Sequence, residues 1–238
     1  MLFYLLRHGE PIYNPDSITE HGHKQAEMLA ERLKVNGLDR IYTSTSNRAK
    51  QTAEPTCRLL GKSYIELDWC NENLAWQDLT APLKNGSRHW LFHDPENIVR
   101  INDPEIFALG EKWYEAKGFE GCNYKQGIAR IRNNADEFFA SLGYVHDREK
   151  KYYIVTKPPC ERVALFAHQG FGLAFLSCVL DIPYPVFCTR FDMEYSGMTV
   201  ISFDDIGGIS IPKVLQLSND SHLYKGGLSL RYNKRYDV

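Results

Sequence analysis

The sequence predicts a three-layer αβα sandwich: a mostly parallel central sheet, helices on both faces, and a helical insertion forming a cap. Three observations carry that prediction. Residues 1–6 and 162–167 are short, continuously apolar runs, the mark of strands buried on both faces. From residue 1 to residue 67, strand and helix patterns alternate as βαβαβ, which within one sheet requires right-handed parallel crossovers. From about residue 79 to 127 the alternation breaks, and a segment rich in Trp, Tyr and Phe follows no strand period.

Each element has a local reason. The first strand stops at Arg7-His8-Gly9. Thr19 is an N-cap for the first helix, where Ala26, Leu29, Ala30 and Leu33 recur at helical spacing, and Asn36-Gly37 ends it. Residues 38–44 read as the second strand. Ser46 caps a second helix through Leu60 that carries Ala49 and Ala53, and Pro55 removes one internal hydrogen bond and should kink it. Residues 63–67 are the third strand. Within the insertion, Trp90, Phe92, Phe107, Trp113, Tyr114, Phe119 and Tyr124 stand among many charges and read as mostly helical. Ile128, Ile131, Ala135, Phe138 and Leu142 mark a stronger helix. "YYIVT" and "RVALFA" flank "KPPCE", giving either a hairpin or two strands joined by a Pro-rich loop. A helix through Leu180 follows, then strands at residues 198–204 and 213–218. The tail after Gly226 is basic and aromatic, with no role legible in it.

A length of 238 residues suits one domain, residues 1–238, with the insertion at about 79–127 as its cap. The formal net charge of −2 provides no global basic field for nucleic acid. The six cysteines are scattered without a CxxC pair, so they read as reduced, mostly buried thiols of a cytoplasmic protein. The apolar start is too short for a signal sequence and has no basic stretch before it. No apolar run approaches the roughly 18 residues of a membrane span. Oligomeric state is not legible.

Two buried strands each deliver a histidine at the carboxyl end, Leu6 into Arg7-His8 and Ala167 into His168. In open parallel sheets, ligands bind outside those ends. The second strand leads into Arg48 on the first turn of its helix. Arg7, His8, Arg48 and His168 can therefore meet at one cationic mouth in a slightly acidic protein. Arginines and histidines without evident metal ligands suit a phosphoryl group, which guanidinium forks grip in bidentate fashion. His21 and His23 have no third partner in the sequence, so they read as a solvated helix face rather than a metal site.

"LLRHGE" with Asn14, "ITEHGHKQA", "TSTSNRAKQTA", "ENL" at residues 72–74, and "ALFAHQG" together resemble the histidine phosphatase superfamily, also called phosphoglycerate mutase-like. The order and spacing of the set carry the resemblance, since RHGE alone is weak. The resemblance implies a phosphohistidine intermediate on His8, phosphate-pocket roles for Arg7, Arg48 and His168, an accessory contact from Asn14, and a proton donor at Glu72. It implies no cofactor and no metal. The expected activity is hydrolysis of a small phosphorylated metabolite. The alternatives are a phosphoglycerate mutase, whose relatives carry a longer segment where only residues 15–18 stand here, and a non-catalytic module that keeps the pocket.

Overall fold

The computed structural model of the chain describes residues 1–82, 86–157, 162–233 and 236–237. Its centre is a six-stranded sheet. The strands are β1 (Leu2–Arg7), β2 (Arg40–Ser44), β3 (Ile65–Leu67), β4 (Arg162–Ala167), β5 (Met198–Ser202) and β6 (Lys213–Asn219), in the order β6-β5-β1-β4-β2-β3. β1, β4, β2 and β3 pair in parallel, and β5 runs antiparallel to both of its neighbours.

Strand alternation divides the core. Phe3 and Leu5 face one side of the sheet, where they pack with Ile131, Phe138, Phe139, Phe171 and Phe175. Tyr4 and Leu6 face the other, against Leu29, Leu33, Ala53 and Cys57. Helices α1 (Glu20–Lys34) and α2 (Asn47–Leu60) therefore cover one face. Two later helices, Tyr124–Ser141 and Gln169–Val179, cover the other. Phe3, Leu5 and Leu6 are fully buried, each worth roughly 1.5–3 kcal/mol of transfer free energy.

Local signals place the first helices. Thr19 accepts the Gly22 N–H at 3.0 Å, a cap worth about 1 kcal/mol. After Lys34 the chain leaves the helix through Gly37, whose φ of +70° suits a residue without Cβ. Ser46 holds the N-cap position of α2 without a side-chain capping bond, and α2 remains one helix through Pro55.

The insertion departs from the expected mostly helical segment. It follows α3 (Glu72–Leu79) and opens with a hairpin, Thr80–Pro82 paired to Arg88–Trp90. Only then come α4 (Pro95–Ile101), α5 (Pro104–Ala108) and a 3₁₀ turn at Gly110–Glu115. Each hairpin strand has three residues, too few to show a period of two. Asp94 and Asp103 cap the two short helices. The long helix Tyr124–Ser141 is α6, Gln169–Val179 is α7, and Tyr184–Cys188 is α8.

Of the two arrangements open for "YYIVT" and "RVALFA", the structure has two separate strands rather than a hairpin. Tyr152–Val155 pairs with Tyr144–Asp147 and with Ile209–Ser210 in a separate three-stranded sheet, not with β4. Tyr144 and Tyr153 are buried against Phe203, and that packing holds the small sheet against the core. Residues 158–161 of "KPPCE", Cys160 among them, lie outside the described residues. The other five cysteines are free thiols, four of them buried. No helix among the described residues is long and apolar enough to cross a membrane.

Candidate active site

Parallel register assembles the site. Arg7 of β1 stands opposite Ala167 of β4, so the next residue of each strand, His8 and His168, emerges side by side. Their ring centroids are 5.2 Å apart. The His8 N–H donates to the Ala167 carbonyl at 3.0 Å. β2 brings Ser44, whose hydroxyl lies 2.8 Å from His168 Nε2. The antiparallel strand β5 contributes from its start: the Ser196 N–H donates to the His8 carbonyl at 3.1 Å.

His8 Nδ1 lies 2.7 Å from the Gly9 carbonyl. A carbonyl only accepts, so Nδ1 carries the proton and Nε2 keeps its lone pair. Burial, with Arg7 and Arg48 nearby, holds the His8 pKa well below its ordinary value, against the opposing Gly9 hydrogen bond. The ring is therefore neutral and of fixed tautomer. Gly9 has a packing reason to lack a Cβ. A Cβ there would meet the Gly22 carbonyl oxygen at 2.7 Å, so Gly9 lets the first turn of α1 pack against the loop. The Gly9 N–H donates to Thr52 Oγ1, which donates to the Arg48 carbonyl.

His168 is fully buried, with Nε2 toward Ser44 and Ser46 and with Nδ1 unpartnered. Burial, then His8, Arg48 and Arg7, hold its pKa well below the usual value. It is a neutral ring here, not the cation that would bind phosphate most strongly. With Nε2 accepting from Ser44, Nδ1–H is the donor left for a ligand oxygen.

The two arginines are braced from one side. Arg48, on the first turn of α2, pairs with Asp16 at 2.5 Å, and Asp16 also accepts the Asn47 N–H. Arg7 donates to the Met193 carbonyl and to the Asn233 side chain, and its guanidinium lies 3.9 Å over the Tyr195 ring. Nε of each arginine is buried without a partner.

Glu72 is the first residue of α3, and its carboxylate reaches the start of α7. It accepts the Gly170 and Phe171 N–H groups, each at 3.0 Å. These are two of the donors that a helix N-terminus leaves unpaired. Burial raises the Glu72 pKa. The two N–H bonds, Arg48 and Arg7 oppose that rise. Such a carboxyl can hold a proton above the usual glutamate range and release it on demand.

One cleft of about 680 Å³ is lined by Arg7, His8, Arg48 and Glu72. Asn14 is not among its lining residues. It is exposed in the four-residue turn between Ile12 and Ser17, while Tyr13 and Asp16 of the same turn line the cleft. His222 is not among the lining residues; it is buried against the Ser196 hydroxyl, its pKa pushed down to about 3 by burial and then by Arg32. Among the described residues no group of three His, Cys, Asp or Glu side chains could hold a metal ion.

Several site residues escaped the sequence. Thr52 could have been found, because it lies one helical turn beyond Arg48. Tyr195, Asn233 and Trp76 gave no signal, since only tertiary contacts bring them here, whereas Trp90 was legible as one of the insertion's aromatics. Trp90 packs so closely on α7 that a Cβ on Gly170 would meet its ring at 2.4 Å. Trp76 stands edge-on to Trp90, with centroids 5.2 Å apart. The insertion hairpin thus delivers an indole to the helix turn that holds Glu72.

Residues 3–117 match the family model of the histidine phosphatase superfamily, branch 1. A probable phosphoglycerate mutase, GpmB, of Klebsiella pneumoniae is 35% identical over 71 residues, covering 26% of this chain and 33% of that protein, so the match spans about a third of the relative. Two solved structures share the fold over nearly the whole chain. One is a mycobacterial glucosyl-3-phosphoglycerate phosphatase with inorganic phosphate, at 20% identity, 93% and 98% coverage of the two chains, and a TM-score of 0.59. The other is a phosphoserine phosphatase of Entamoeba histolytica with 3-phosphoglyceric acid, at 18% identity, 93% and 98% coverage, and a TM-score of 0.58. The family model over residues 3–117, just under half of the chain, together with the same fold across both ends, makes the chain similar to the histidine phosphatase superfamily.

Proposed function

We propose that the protein hydrolyses a small phosphomonoester through a phosphohistidine at His8. The observation that carries this reading is the His8 Nδ1–H bond to the Gly9 carbonyl, which leaves a neutral ring with Nε2 free to attack. In the first step the Nε2 lone pair forms a bond to phosphorus and the bond to the leaving oxygen breaks. That oxygen takes the Glu72 proton. In the second step Glu72, now a carboxylate, removes a proton from water. The water oxygen bonds to phosphorus, the N–P bond breaks, and neutral His8 is restored. Arg7 and Arg48 balance the charge on the equatorial oxygens, with His168 Nδ1–H as a third donor. That positive charge comes from the chain itself, so the reading requires no metal ion.

The substrate end of the cleft is aromatic. Tyr13, Trp76 and Trp90 line it with Asn73 and Gln169, a surface suited to stacking on a leaving group larger than phosphate alone. A second reading, phosphoryl transfer of the phosphoglycerate mutase type, is favoured by the names of the relatives matched over 71 residues. The two separate on products: hydrolysis releases inorganic phosphate, whereas a mutase returns an isomeric ester.

The test is His8→Ala, assayed with EDTA present on a panel of phosphorylated metabolites. Wild type should release phosphate and trap an acid-labile phosphoryl group on His8. The variant should do neither, yet unfold at nearly the same temperature. Substantial turnover by His8→Ala would refute the reading.

A further inference from the structure

We infer that the C-terminal segment completes the phosphate pocket, with Asn233 acting as a positioning residue for Arg7. The inference rests on the reading of Arg7 as a phosphate ligand, and it concerns a part of the chain far from every motif that suggested the site.

Asn233 lies in the turn of a small ribbon, Arg231–Tyr232 paired with Tyr236–Asp237. Two strands of two residues are too short to hold themselves in place. Among the described residues, Asn233 ties the turn to the site. Its backbone N–H donates to the Glu194 carboxylate, its side-chain amide donates to Asp192 at 2.9 Å, and its side-chain oxygen accepts from Arg7 Nη1. Its φ of +47° is a left-handed conformation that asparagine tolerates better than most residues. Every polar group of the side chain is thus committed, and one commitment is to the arginine of the pocket.

The anchors of Asn233 belong to the site as well. Asp192 also accepts from the Gln169 side chain, on the first turn of α7 beside His168, and from the Met193 N–H at 2.7 Å. Glu194 is buried and accepts the N–H of Tyr195 at 2.7 Å. The ring of Tyr195 lies under the Arg7 guanidinium. The loop of residues 192–197 and the tail therefore form one frame around Arg7.

The frame decides which edge of the guanidinium is offered. Nη1 is occupied by the Met193 carbonyl and by Asn233, while Nε is buried and unpartnered. A bidentate grip on two phosphoryl oxygens can then use the Nε–Nη2 edge. Without the Asn233 oxygen, Nη1 is tied at the Met193 carbonyl alone. The guanidinium is freer to turn about its long flexible stem, and the edge loses its aim.

The experiment measures binding of inorganic phosphate and orthovanadate to the full-length protein, with no turnover required. Asn233→Ala should weaken phosphate about tenfold, the effect of losing one hydrogen bond to a charged group. The thermal midpoint should hardly move. Arg7→Lys, which has no fork to orient, should weaken phosphate on its own, and adding Asn233→Ala to it should cost little more. That non-additivity is the signature of a residue acting through another. Unchanged phosphate affinity in Asn233→Ala would overturn the inference, and so would fully additive losses. If the hydrolytic reading is itself wrong, turnover and His8 labelling are absent while the phosphate-binding cycle still gives its answer.

Discussion

Replacing Glu72 with Gln keeps the size of the side chain and removes its exchangeable proton. The structure sets two separate costs. Glu72 accepts two backbone N–H groups, from Gly170 and Phe171, one on each carboxylate oxygen. An amide offers one oxygen, so one of those donors is left facing an NH₂ group. An unsatisfied buried donor costs about 1–3 kcal/mol, which at about 2–4 °C per kcal/mol is a fall of roughly 2–12 °C in the thermal midpoint. The catalytic cost depends on the leaving group. An alkyl alkoxide needs the proton, and general acid help is typically worth about 10²–10⁴-fold, or roughly 3–5 kcal/mol. A nitrophenolate hardly needs it, so its phosphorylation step should slow by less than about tenfold. The assay is rapid-quench measurement of the phosphohistidine burst with an alkyl phosphate and with nitrophenyl phosphate. Burst and steady state must be read apart, because in the proposed second step Glu72 also activates water. The pH profile gives a second reading. Burial raises the Glu72 pKa, so the wild-type burst on alkyl phosphates should persist above the usual glutamate range and fall as Glu72 ionises. Glu72→Gln should lack that limb. Equal burst losses for both leaving groups would refute the acid role and leave Glu72 as a brace for the start of α7. Asp78, the next carboxylate on the same helix, is no substitute, because it is paired with Arg130 at 2.9 Å.

Two further outcomes test separate parts of the molecule. Trp76→Ala should change the ranking among substrates at nearly constant thermal stability, since Trp76 lines the cleft and is partly exposed. Trp113→Ala should instead destabilise by about 3–5 kcal/mol and reduce all activities alike, because Trp113 is buried among Phe119, Tyr124 and Tyr184. Comparing kcat/KM across the panel with melting curves separates the two. His146 lies between Asp136 at 3.2 Å and Asp181 at 2.8 Å. Burial works against its charged form, but those two hydrogen bonds raise its pKa above the ordinary 6.5. Stability carried by the charged ring is therefore full below pH 6.5 and is lost as pH rises through the folded-state value. His146→Gln should be less stable than wild type by about 1–3 kcal/mol near pH 6, and the gap should narrow toward pH 9. A gap independent of pH would assign the effect to packing on Tyr153, whose ring is 3.9 Å away.

Sequence alone determined the parts of this protein whose causes are local. β1 and β4 are apolar runs that end in histidines, α1 has its cap at Thr19, and α2 begins just before Arg48. Parallel pairing then brings two strand ends together, so His8, His168, Arg7 and Arg48 could be read as one mouth before any coordinates. Glu72 was legible only through the resemblance, since a carboxylate in "CNENL" has no local cause to be special. Its environment is made by α7, about 100 residues away. Tertiary structure alone decided the rest. It put Asn14 on an exposed turn and Asp16 on Arg48, and it paired Tyr152–Val155 away from the central sheet. It also built a hairpin that sets Trp90 against Gly170, and it spent Gly9 on the approach of α1. Most plainly, it placed Tyr195 beneath Arg7 and Asn233 beside it. None of these contacts leaves a periodicity or a cap in the chain. Each is a choice among distant partners, made by which arrangement buries the apolar faces and pairs most buried polar groups, while Nε of Arg7 and Arg48 and Nδ1 of His168 stay unpartnered at the site.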